Sequence, residues 1–272
     1  MMHGFRAVSK ALSGWQGRFE DFITQLDEDG VPYLSFSKIA AVESCQQSFF
    51  LQYIEQVEVE EPGYFKKGRV FHEAASMVHR QMGQDGLDLK LVRKLIKRHF
   101  YEEDAGHLLN AVQMLIDNAH QGYEVVATEL PFVLSLGKGL PPLIGVIDLL
   151  LRKSSEYLLV DHKTGKDLYQ QDAFQLSLYR EHVRRAFTPR RIKACYDEYR
   201  WVNNLDRIRK PAFRRTHVTF KRWPSIMKRV KRAATVMKDI QKTGKASGNG
   251  ECFKCHLKNV CPKASFEWQG WY

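Results

Sequence analysis

The stretch LIGVIDLLLRKSSEYLLVDHK, residues 143–163, predicts the centre of the fold. It contains two apolar runs of strand length that are separated by a polar turn at residues 153–156. Apolar runs of this length with a short polar turn between them are typical of two strands joined in a hairpin. We therefore expect a β-hairpin here, with further strands and helices built around it.

The second strand of this hairpin ends in the polar residues Asp161, His162 and Lys163. Strand side chains alternate between the two faces of a sheet, so Asp161 and Lys163 share one face and His162 points to the other. Asp148, in the first strand, offers a second carboxylate. The simplest alternative is an ordinary ion pair on a hairpin surface, because each short motif taken alone is common.

The order of these residues along the chain favours a metal site over a simple ion pair. Mg²⁺ prefers carboxylate ligands, and a bound metal can polarise a phosphate and lower the pKa of a water molecule. Lys163 can steady the attacking water or the charge that grows on the phosphate. Gln175 and Tyr179, four residues apart in a predicted helix at 171–187, share one helix face. The pattern predicts metal-dependent hydrolysis of phosphodiesters.

In this order and on these elements, the motifs resemble those of the PD-(D/E)xK nucleases, in particular the RecB-like branch. The resemblance extends upstream to GRVFH at residues 68–72, which looks like that branch's helix with a metal-binding histidine. It includes the opening segment at residues 33–39 and the aromatic run that follows Cys45. Glu129 lies where many relatives carry an acidic residue. The resemblance covers about residues 33–262, most of the chain.

The resemblance implies an α/β fold of the restriction-endonuclease-like type, in which helices flank a mixed central sheet. It also implies Mg²⁺ or Mn²⁺ as the cofactor. The implied metal ligands are His72, Asp148, Asp161 and the backbone carbonyl of His162. The implied catalytic residues are Asp148, Asp161 and Lys163. Gln175 and Tyr179 would orient the lysine or hold DNA.

Four of the five cysteines form a second motif. Cys252, Cys255 and Cys261 give the pattern C-x2-C-x5-C-P, and Cys45 lies far upstream. Four thiolates suit either zinc or an iron–sulfur cluster, and His256 could replace one thiolate in a zinc site. One cysteine before the core and three after it resembles the four-cysteine 4Fe-4S subgroup, which includes AddB-type and CRISPR-associated nucleases. The resemblance therefore implies a 4Fe-4S cluster, with Zn²⁺ as the alternative.

The expected role of this cluster is to staple the C-terminal cysteine segment to the N-terminal region. Cys195, in a segment of alternating apolar residues, is predicted to be a small buried side chain. A disulfide framework is disfavoured because five is an odd count, the chain can bury its own core, and no secretory signal is seen.

Positive charge is concentrated in one part of the chain. Residues 180–238 contain 19 Lys or Arg and four Asp or Glu, whereas the whole chain has 42 and 31. Such a basic block attracts a polyphosphate backbone. Aromatic rings within it could stack on unpaired bases, although for any single ring a place in the core is the simpler explanation. These rings are Tyr196, Tyr199, Trp201, Phe213, Phe220 and Trp223. The block as a whole predicts DNA, single-stranded above all, as the partner.

The composition fits one closely packed unit. The expected segments are a polar leader (1–30), a helical region with Cys45 and His72 (31–122), a nuclease core (123–222), and a basic helix with the iron–sulfur segment (223–272). No apolar run reaches the roughly 18 residues that a membrane span needs. We therefore expect a cytoplasmic protein, or one of the host cytoplasm if the source is viral. Organellar targeting is not favoured, although residues 1–19 lack acidic side chains.

Local signals place several element boundaries. Ser35 or Ser37 could cap a helix that continues through Cys45. Strands are predicted at residues 192–203 and 216–221, and a basic helix is predicted to begin at Pro224.

Together these features predict a metal-dependent DNA nuclease, most simply an exonuclease that hydrolyses single-stranded ends in recombination, repair or replication. One alternative is a DNA-processing subunit of a larger recombination or CRISPR spacer-acquisition complex, working with a helicase or recombination partner. Another is a catalytically weak nucleic-acid-binding module. An RNase is a third, because no residue obviously reads a 2′-hydroxyl. The chain has no P-loop motif, so it is not itself a helicase. The sequence leaves the oligomeric state open.

Overall fold

A computed structural model describes residues 2–82, 87–165, 168, 171–200, 211–248, 252 and 255–264. The described residues form helices and strands in the following chain order: α1 (Met2–Gly14), α2 (Phe19–Glu28), α3 (Phe36–Ser44), α4 (Gln46–Tyr53), α5 (Gly63–Gln81), α6 (Leu89–His99), α7 (Glu102–Asp117), β1 (Glu124–Leu134), β2 (Leu143–Lys153), β3 (Glu156–Gly165), α8 (Phe174–Phe187), β4 (Arg191–Arg200), β5 (Ala212–His217) and α9 (Trp223–Thr243).

The strands form one mixed sheet in the order β1-β2-β3-β4-β5. β2 and β3 pair antiparallel, with Leu149 opposite Val160. β3 and β4 pair in parallel, with Asp161 opposite Tyr196, and β4 and β5 pair antiparallel. The hairpin predicted from residues 143–163 therefore forms the second and third strands of the sheet.

Helices cover both faces of the central strands. Parallel strands need a crossover connection, and α8 lies in the connection between β3 and β4 and packs against both. α5 packs against β3, and α7 packs against β4. Apolar side chains of α5, α6 and α7 share one core cluster with Tyr199 of β4, so these helices lie on the face to which Tyr199 points. The mixed sheet with flanking helices confirms the predicted α/β architecture.

The chain divides into two compact units. Unit 1 comprises Met1–Pro62, Val133–Gly145 and Arg222–Tyr272, and unit 2 comprises Gly63–Phe132 and Val146–Lys221. Unit 2 contains α5 to α8 and most of the sheet. The four segments that the sequence suggested remain a prediction.

The first 28 residues are more than a polar leader. α1 and α2 contribute Val8, Phe22 and Leu26 to a core cluster of unit 1 that also contains Tyr33 and Ile144. The leader interpretation missed α2 although its apolar residues Phe19, Phe22, Ile23 and Leu26 have helical spacing. An amphipathic helix needs only one apolar stripe to pack.

The helix that was predicted to run through Cys45 is two helices. Ser35 caps α3, because its hydroxyl accepts a hydrogen bond from the backbone N–H of Lys38 at 3.1 Å. Cys45 then has an extended backbone between α3 and α4. This break places Cys45 at the junction of two short helices.

Three other boundaries differ from the predictions. β5 spans Ala212–His217, upstream of the predicted 216–221, because its arginines pair with carboxylates on β4. α8 begins at Phe174, after a turn in which the Asp172 carboxylate accepts from the Phe174 N–H. β4 ends at Arg200, and the predicted extension to residue 203 lies outside the described residues.

α9 begins at Trp223 with Pro224 in its first turn, close to the prediction. It has 21 residues, and its buried face carries Val230 and Met237. Within the part of the chain that the structure describes, no helix combines the length and the apolar composition that a membrane span requires.

Candidate active site

Three side chains with metal-binding atoms converge in unit 2. They are His72 of α5, Glu129 of β1 and Asp148 of β2, and their ligand atoms lie within 4.8 Å of one another. His72 Nδ1 lies 3.5 Å from Asp148 Oδ2 and 3.6 Å from Glu129 Oε1. The structure thus brings together two of the predicted metal ligands and the acidic residue expected nearby.

Glu129 reaches this position through an unusual backbone conformation. Its φ is 48°, although it lies in the middle of β1. A non-glycine residue in the left-handed region is uncommon and typically marks a turn or a strained site. Such a conformation costs about 1–3 kcal/mol and persists only when its surroundings enforce it. The strain is therefore located where β1 presents a carboxylate to His72.

Asp161 and Lys163 of β3 form a second group with α8. Lys163 Nζ lies 2.7 Å from Asp161 Oδ2 and donates to Gln175 Oε1 at 3.2 Å. Gln175 Nε2 donates to Asp161 Oδ1 at 2.7 Å and to the Tyr179 hydroxyl at 3.2 Å. Gln175 therefore bridges the carboxylate and the ammonium. The two strand residues face the same side of the sheet, as side-chain alternation predicts.

These two groups are linked by the backbone of β3. The backbone N–H of His162 donates to Asp148 Oδ2 at 2.7 Å, so β3 holds the carboxylate of β2 in place. We call His72, Glu129, Asp148, Asp161 and Lys163 together the acidic centre.

Burial and neighbouring charges perturb the titration of the acidic centre. Burial raises the pKa of Asp161 to about 6, although the Lys163 ammonium opposes this rise. Burial also raises the pKa of Asp148, against the charge of His72. Burial alone would lower the pKa of His72, but Asp148 and Glu129 outweigh it and raise this pKa to about 9. Burial alone would also lower the pKa of Lys163, but Asp161 and Asp148 outweigh it and raise this pKa.

The donor set fits a hard divalent cation. His72, Glu129 and Asp148 combine two carboxylates with one imidazole, and these groups bind Mg²⁺ or Mn²⁺. Asp161 does not belong to this close group but offers a third carboxylate from the neighbouring strand. Asp161 Oδ2 is in ion-pair contact with Lys163, but no well-aligned hydrogen bond to this buried oxygen exists among the described residues. A buried oxygen without a hydrogen bond is costly, and coordination of a cation would satisfy it.

On the opposite face of β3, a buried hydrogen-bond chain holds the His162 ring. His162 Nε2 lies 3.2 Å from His79 Nε2, and His162 Nδ1 lies 3.3 Å from the Tyr199 hydroxyl. His79 Nδ1 lies 3.3 Å from Met82 Sδ. We call Tyr199, His162, His79 and Met82 the rear chain.

The direction of the rear chain follows from its last member. Burial lowers the pKa of His79 to about 4 and that of His162 well below its ordinary value, so both rings are neutral. A thioether can only accept a hydrogen bond, so His79 Nδ1–H donates to Met82. His79 Nε2 must then accept from His162 Nε2–H, and the Tyr199 hydroxyl donates to His162 Nδ1. The chain fixes the tautomer of both histidines.

Sequence reasoning missed His79. His79 follows His72 by seven residues on α5, a spacing that returns to the same side of a helix, so a signal was available. For Tyr199 a place in the core was the simpler prediction, and the ring is indeed 1 % exposed and belongs to the core of unit 2. Glu198 and Tyr199 are successive residues of β4 and point to opposite faces of the sheet. The sequence did not reveal which of these two side chains points to the active site.

A further polar cluster on the rear face is held by an ion pair. Asp197 accepts hydrogen bonds from Arg215 at 2.7 and 2.8 Å and lies 2.9 Å from His120 Nε2. Cys195, buried as predicted, lies 3.7 Å from the same carboxylate. His120, Cys195 and Asp197 are close enough to share a cation, but Arg215 already supplies the positive charge. We therefore interpret this cluster as structural.

The predicted cluster cysteines lie in unit 1 and line one cavity of about 530 Å³, which we call the cysteine cavity. Its sulfur-bearing residues are Cys45, Cys252, Cys255 and Cys261, and His256 also lines it. Residues 253 and 254 lie outside the described residues. The Gln47 N–H donates to the Ser247 carbonyl at 3.0 Å, so the backbone itself ties α4 to the chain segment that leads to the cysteine motif.

The basic block is only partly available to a partner. Several arginines in unit 2 pair with carboxylates: Arg184 and Arg185 with Glu181, Arg214 with Glu198, and Arg215 with Asp197. Among the predicted stacking rings, Tyr196 is buried like Tyr199, Phe213 packs against the same core, and Phe220 contacts Arg180. Trp201 lies outside the described residues, and Trp223 begins α9.

Known proteins resemble this chain in sequence pattern and in fold. A sequence profile of the PD-(D/E)XK nuclease superfamily matches residues 33–262. No curated protein matches the chain significantly. The crystal structure of a "putative exonuclease" from Eubacterium rectale is 13% identical, with coverage of 91% of this chain and 94% of that chain and a TM-score of 0.58. The structure of SSO0001 is 12% identical over 92% of this chain and 98% of that chain, but its TM-score of 0.37 is too low to support an argument.

Proposed function

The chain belongs to the PD-(D/E)XK nuclease superfamily, and we propose that it is a metal-dependent deoxyribonuclease of the RecB-like branch. We propose further that it is an exonuclease that hydrolyses single-stranded DNA ends in recombination, repair or replication. The name of the Eubacterium rectale structure is in keeping with exonuclease activity.

One observation carries this proposal. His72, Glu129 and Asp148 place ligand atoms within 4.8 Å of one another, and the Asp161–Lys163 pair lies on the neighbouring strand. These side chains come from β1, β2, β3 and α5. An ordinary surface ion pair on the hairpin would require only Asp161 and Lys163.

We propose that His72, Asp148, Asp161 and the backbone carbonyl of His162 hold Mg²⁺ or Mn²⁺, with Glu129 as a further carboxylate. When bound, such a cation polarises the phosphate and makes hydroxide available near neutral pH. A metal ligand must be deprotonated. Because the pKa of His72 is about 9, loading of the metal near neutral pH should release a proton from this ring.

Lys163 supplies positive charge to the reacting phosphate. Its raised pKa keeps the ammonium protonated near neutral pH, so it stabilises developing negative charge and does not act as a base. Gln175 holds the ammonium beside Asp161, and Tyr179 contacts Gln175 in turn. Gln175 and Tyr179 therefore position the charged groups from the helix that covers them.

We also propose that the four cysteines of the cysteine cavity hold a 4Fe-4S cluster, with Zn²⁺ as the alternative. Cys45, Cys252, Cys255 and Cys261 all line this cavity, and the resemblance to the four-cysteine subgroup supports the cluster. A bound cluster would join the C-terminal segment to the junction of α3 and α4.

The test uses end-labelled linear single-stranded DNA, a linear duplex, a single-stranded circle and an RNA strand, each with Mg²⁺ or Mn²⁺. We expect degradation of the linear single strand and persistence of the circle. Cleavage of the circle would replace the exonuclease proposal with endonuclease action, and preferential cleavage of RNA would replace the deoxyribonuclease proposal. Persistence of every substrate with both metals would overturn the nuclease proposal.

A further inference from the structure

Exposed positive charges line α9. The ion pair that the described residues show for this helix joins Arg229 to Glu43 of α3 at 2.7 Å. Lys228, Lys231, Lys238 and Lys242 of the same helix are exposed and have no ion pair within the described part of the chain.

These four lysines lie on one side of the helix. At 3.6 residues per turn their side chains fall within an arc of about 80°, and we call this surface the lysine face. The opposite side is buried, and α9 packs against α3 and α4. The row spans about 21 Å at 1.5 Å per residue. Asp239 is the one acidic residue in the α9 sequence. Such a row complements a polyanion of repeating phosphates.

A cavity of about 900 Å³ borders the same helix in unit 1. Its walls include the rings of Tyr33, Phe49 and Tyr53, and we call it the aromatic cavity. Lys238 contributes both to this cavity and to the lysine face. The volume lies within the range of about 300–1,000 Å³ that is typical of small-molecule pockets.

The polar groups of the aromatic cavity neutralise one another. Lys38 Nζ lies 3.0 Å from Asp27 Oδ1 and 3.4 Å from the centroid of the Tyr33 ring. The Tyr33 hydroxyl donates to Asp27 Oδ2 at 2.9 Å. Because Asp27 neutralises Lys38, this pair offers no net positive charge to a phosphate. Tyr33 and Phe49 are buried, whereas Tyr53 is half-buried, with Lys38 Nζ 5.4 Å from its ring centroid. A partly exposed ring beside a neutral polar pair suits a flat group with a hydrogen-bonding edge, such as a nucleobase.

We propose that the lysine face and the aromatic cavity together bind an unpaired nucleic-acid strand. The lysines contact successive phosphates, and the cavity accepts one base from the same strand. A paired base cannot enter the cavity, so this site selects single strands over duplex. The inference rests on the proposed function and deepens it, because it names the surface of unit 1 that recognises the single strand.

The phosphate half of the proposal is tested in the Asp161→Ala background, which removes cleavage. Binding of fluorescein-labelled oligothymidylate is measured by anisotropy over a range of salt concentrations. The triple variant Lys228→Ala/Lys231→Ala/Lys238→Ala should bind more weakly, and the salt slope should fall by up to about 2, at about 0.7 per lost phosphate contact. The matched control Lys90→Ala/Lys94→Ala/Arg98→Ala removes three exposed charges from α6 and should keep the slope.

The base half is tested by Tyr53→Leu, with Tyr53→Phe as the control that keeps the ring. Tyr53→Leu should weaken single-strand binding about tenfold, because one stacked ring is lost. It should leave the salt slope and the binding of a blunt duplex unchanged. Tyr53→Phe should bind like the parent protein.

A salt slope that the α9 and α6 triple variants change equally would overturn the lysine face as a binding surface. Equal loss of single-strand and duplex binding in Tyr53→Leu, or no loss of either, would overturn the base cavity. These measurements need no hydrolysis, so a protein that binds as expected but cuts no DNA would contradict the nuclease proposal alone. A protein that cuts DNA but fails these tests would contradict the present inference alone.

Discussion

The acidic centre of unit 2 and the cysteine cavity of unit 1 are assembled in different ways. In the acidic centre, each side chain comes from a helix or strand, and hydrogen bonds from Gln175 and the His162 backbone hold Asp161 and Asp148. In the cysteine cavity, one cysteine lies at a helix junction and three lie in a turn-rich segment near the C-terminus.

This difference indicates what each region depends on. Regular elements with supporting hydrogen bonds hold catalytic groups precisely. Substitutions in the acidic centre should therefore leave the fold intact and lower the cleavage activity. Segments without regular structure gain their order from a bound metal, because binding energy at such a site is also folding energy. The cysteine cavity should therefore respond to substitution by losing stability.

The largest expected effect is on catalysis by the acidic centre. Asp161→Asn and Lys163→Ala should each lower the rate of single-strand cleavage by about 100-fold or more, since each removes charge from the reacting phosphate or its metal. Circular dichroism and iron content should match the parent protein. Lys94→Ala, on the exposed face of α6, is the control. Full activity in both variants would remove these residues from the mechanism.

The next effect should appear in the cysteine cavity. Cys252→Ser and Cys261→Ser should give little soluble protein, with loss of visible absorbance and of iron, because they remove ligands that stabilise unit 1. Cys195→Ser, outside the cavity, should keep the iron. Metal analysis of anaerobically purified protein provides the measurement. One zinc and no iron in the parent protein would rule out the cluster and leave the zinc alternative.

Loss of the rear chain should affect stability and the acidic centre but leave the cysteine cavity unchanged. His79→Leu removes the acceptor of the His162 Nε2–H bond, and an unsatisfied buried donor costs about 1–3 kcal/mol. We expect a lower melting temperature and a higher Mn²⁺ concentration for half-maximal cleavage, with unchanged iron content. His79→Gln should partly restore the metal dependence, and Met82→Leu should have a smaller effect. A melting shift without any change in metal dependence would mean that the chain supports the core but does not position β3.

The smallest expected effect concerns α8, which carries Gln175 to the acidic centre. His182 of this helix stacks on Phe132 with a centroid distance of 4.5 Å, and burial lowers its pKa from 6.5 to about 4. The folded state therefore binds fewer protons than the unfolded state, so the stabilisation is fully present above pH 6.5 and is lost as the pH falls towards 4. Denaturant unfolding gives the free energy of unfolding of the parent protein and of His182→Phe at each pH. This free energy should fall less steeply between pH 6.5 and 4 in the variant. Identical pH profiles would contradict this role.

The sequence predicted the hairpin and the shared face of Asp161 and Lys163 because both follow from local periodicity. It also placed Gln175 and Tyr179 on one helix face, since residues four apart are neighbours on a helix. It did not reveal the left-handed backbone of Glu129, because no glycine or asparagine signals it. The rear chain was equally hidden, because His79 reaches His162, and through it Tyr199, only through the packing of α5 against the sheet.

The sequence by itself determined which residues carry chemistry and on which kind of element each lies, because strand alternation and helix spacing act over a few residues. Only the tertiary structure decided which of these groups meet: His72 with Glu129 and Asp148, and Cys45 with the C-terminal cysteines. It also decided which basic side chains form ion pairs with carboxylates and which remain exposed. Contacts between distant segments depend on how whole elements pack, and that packing is not encoded in any short stretch of the chain.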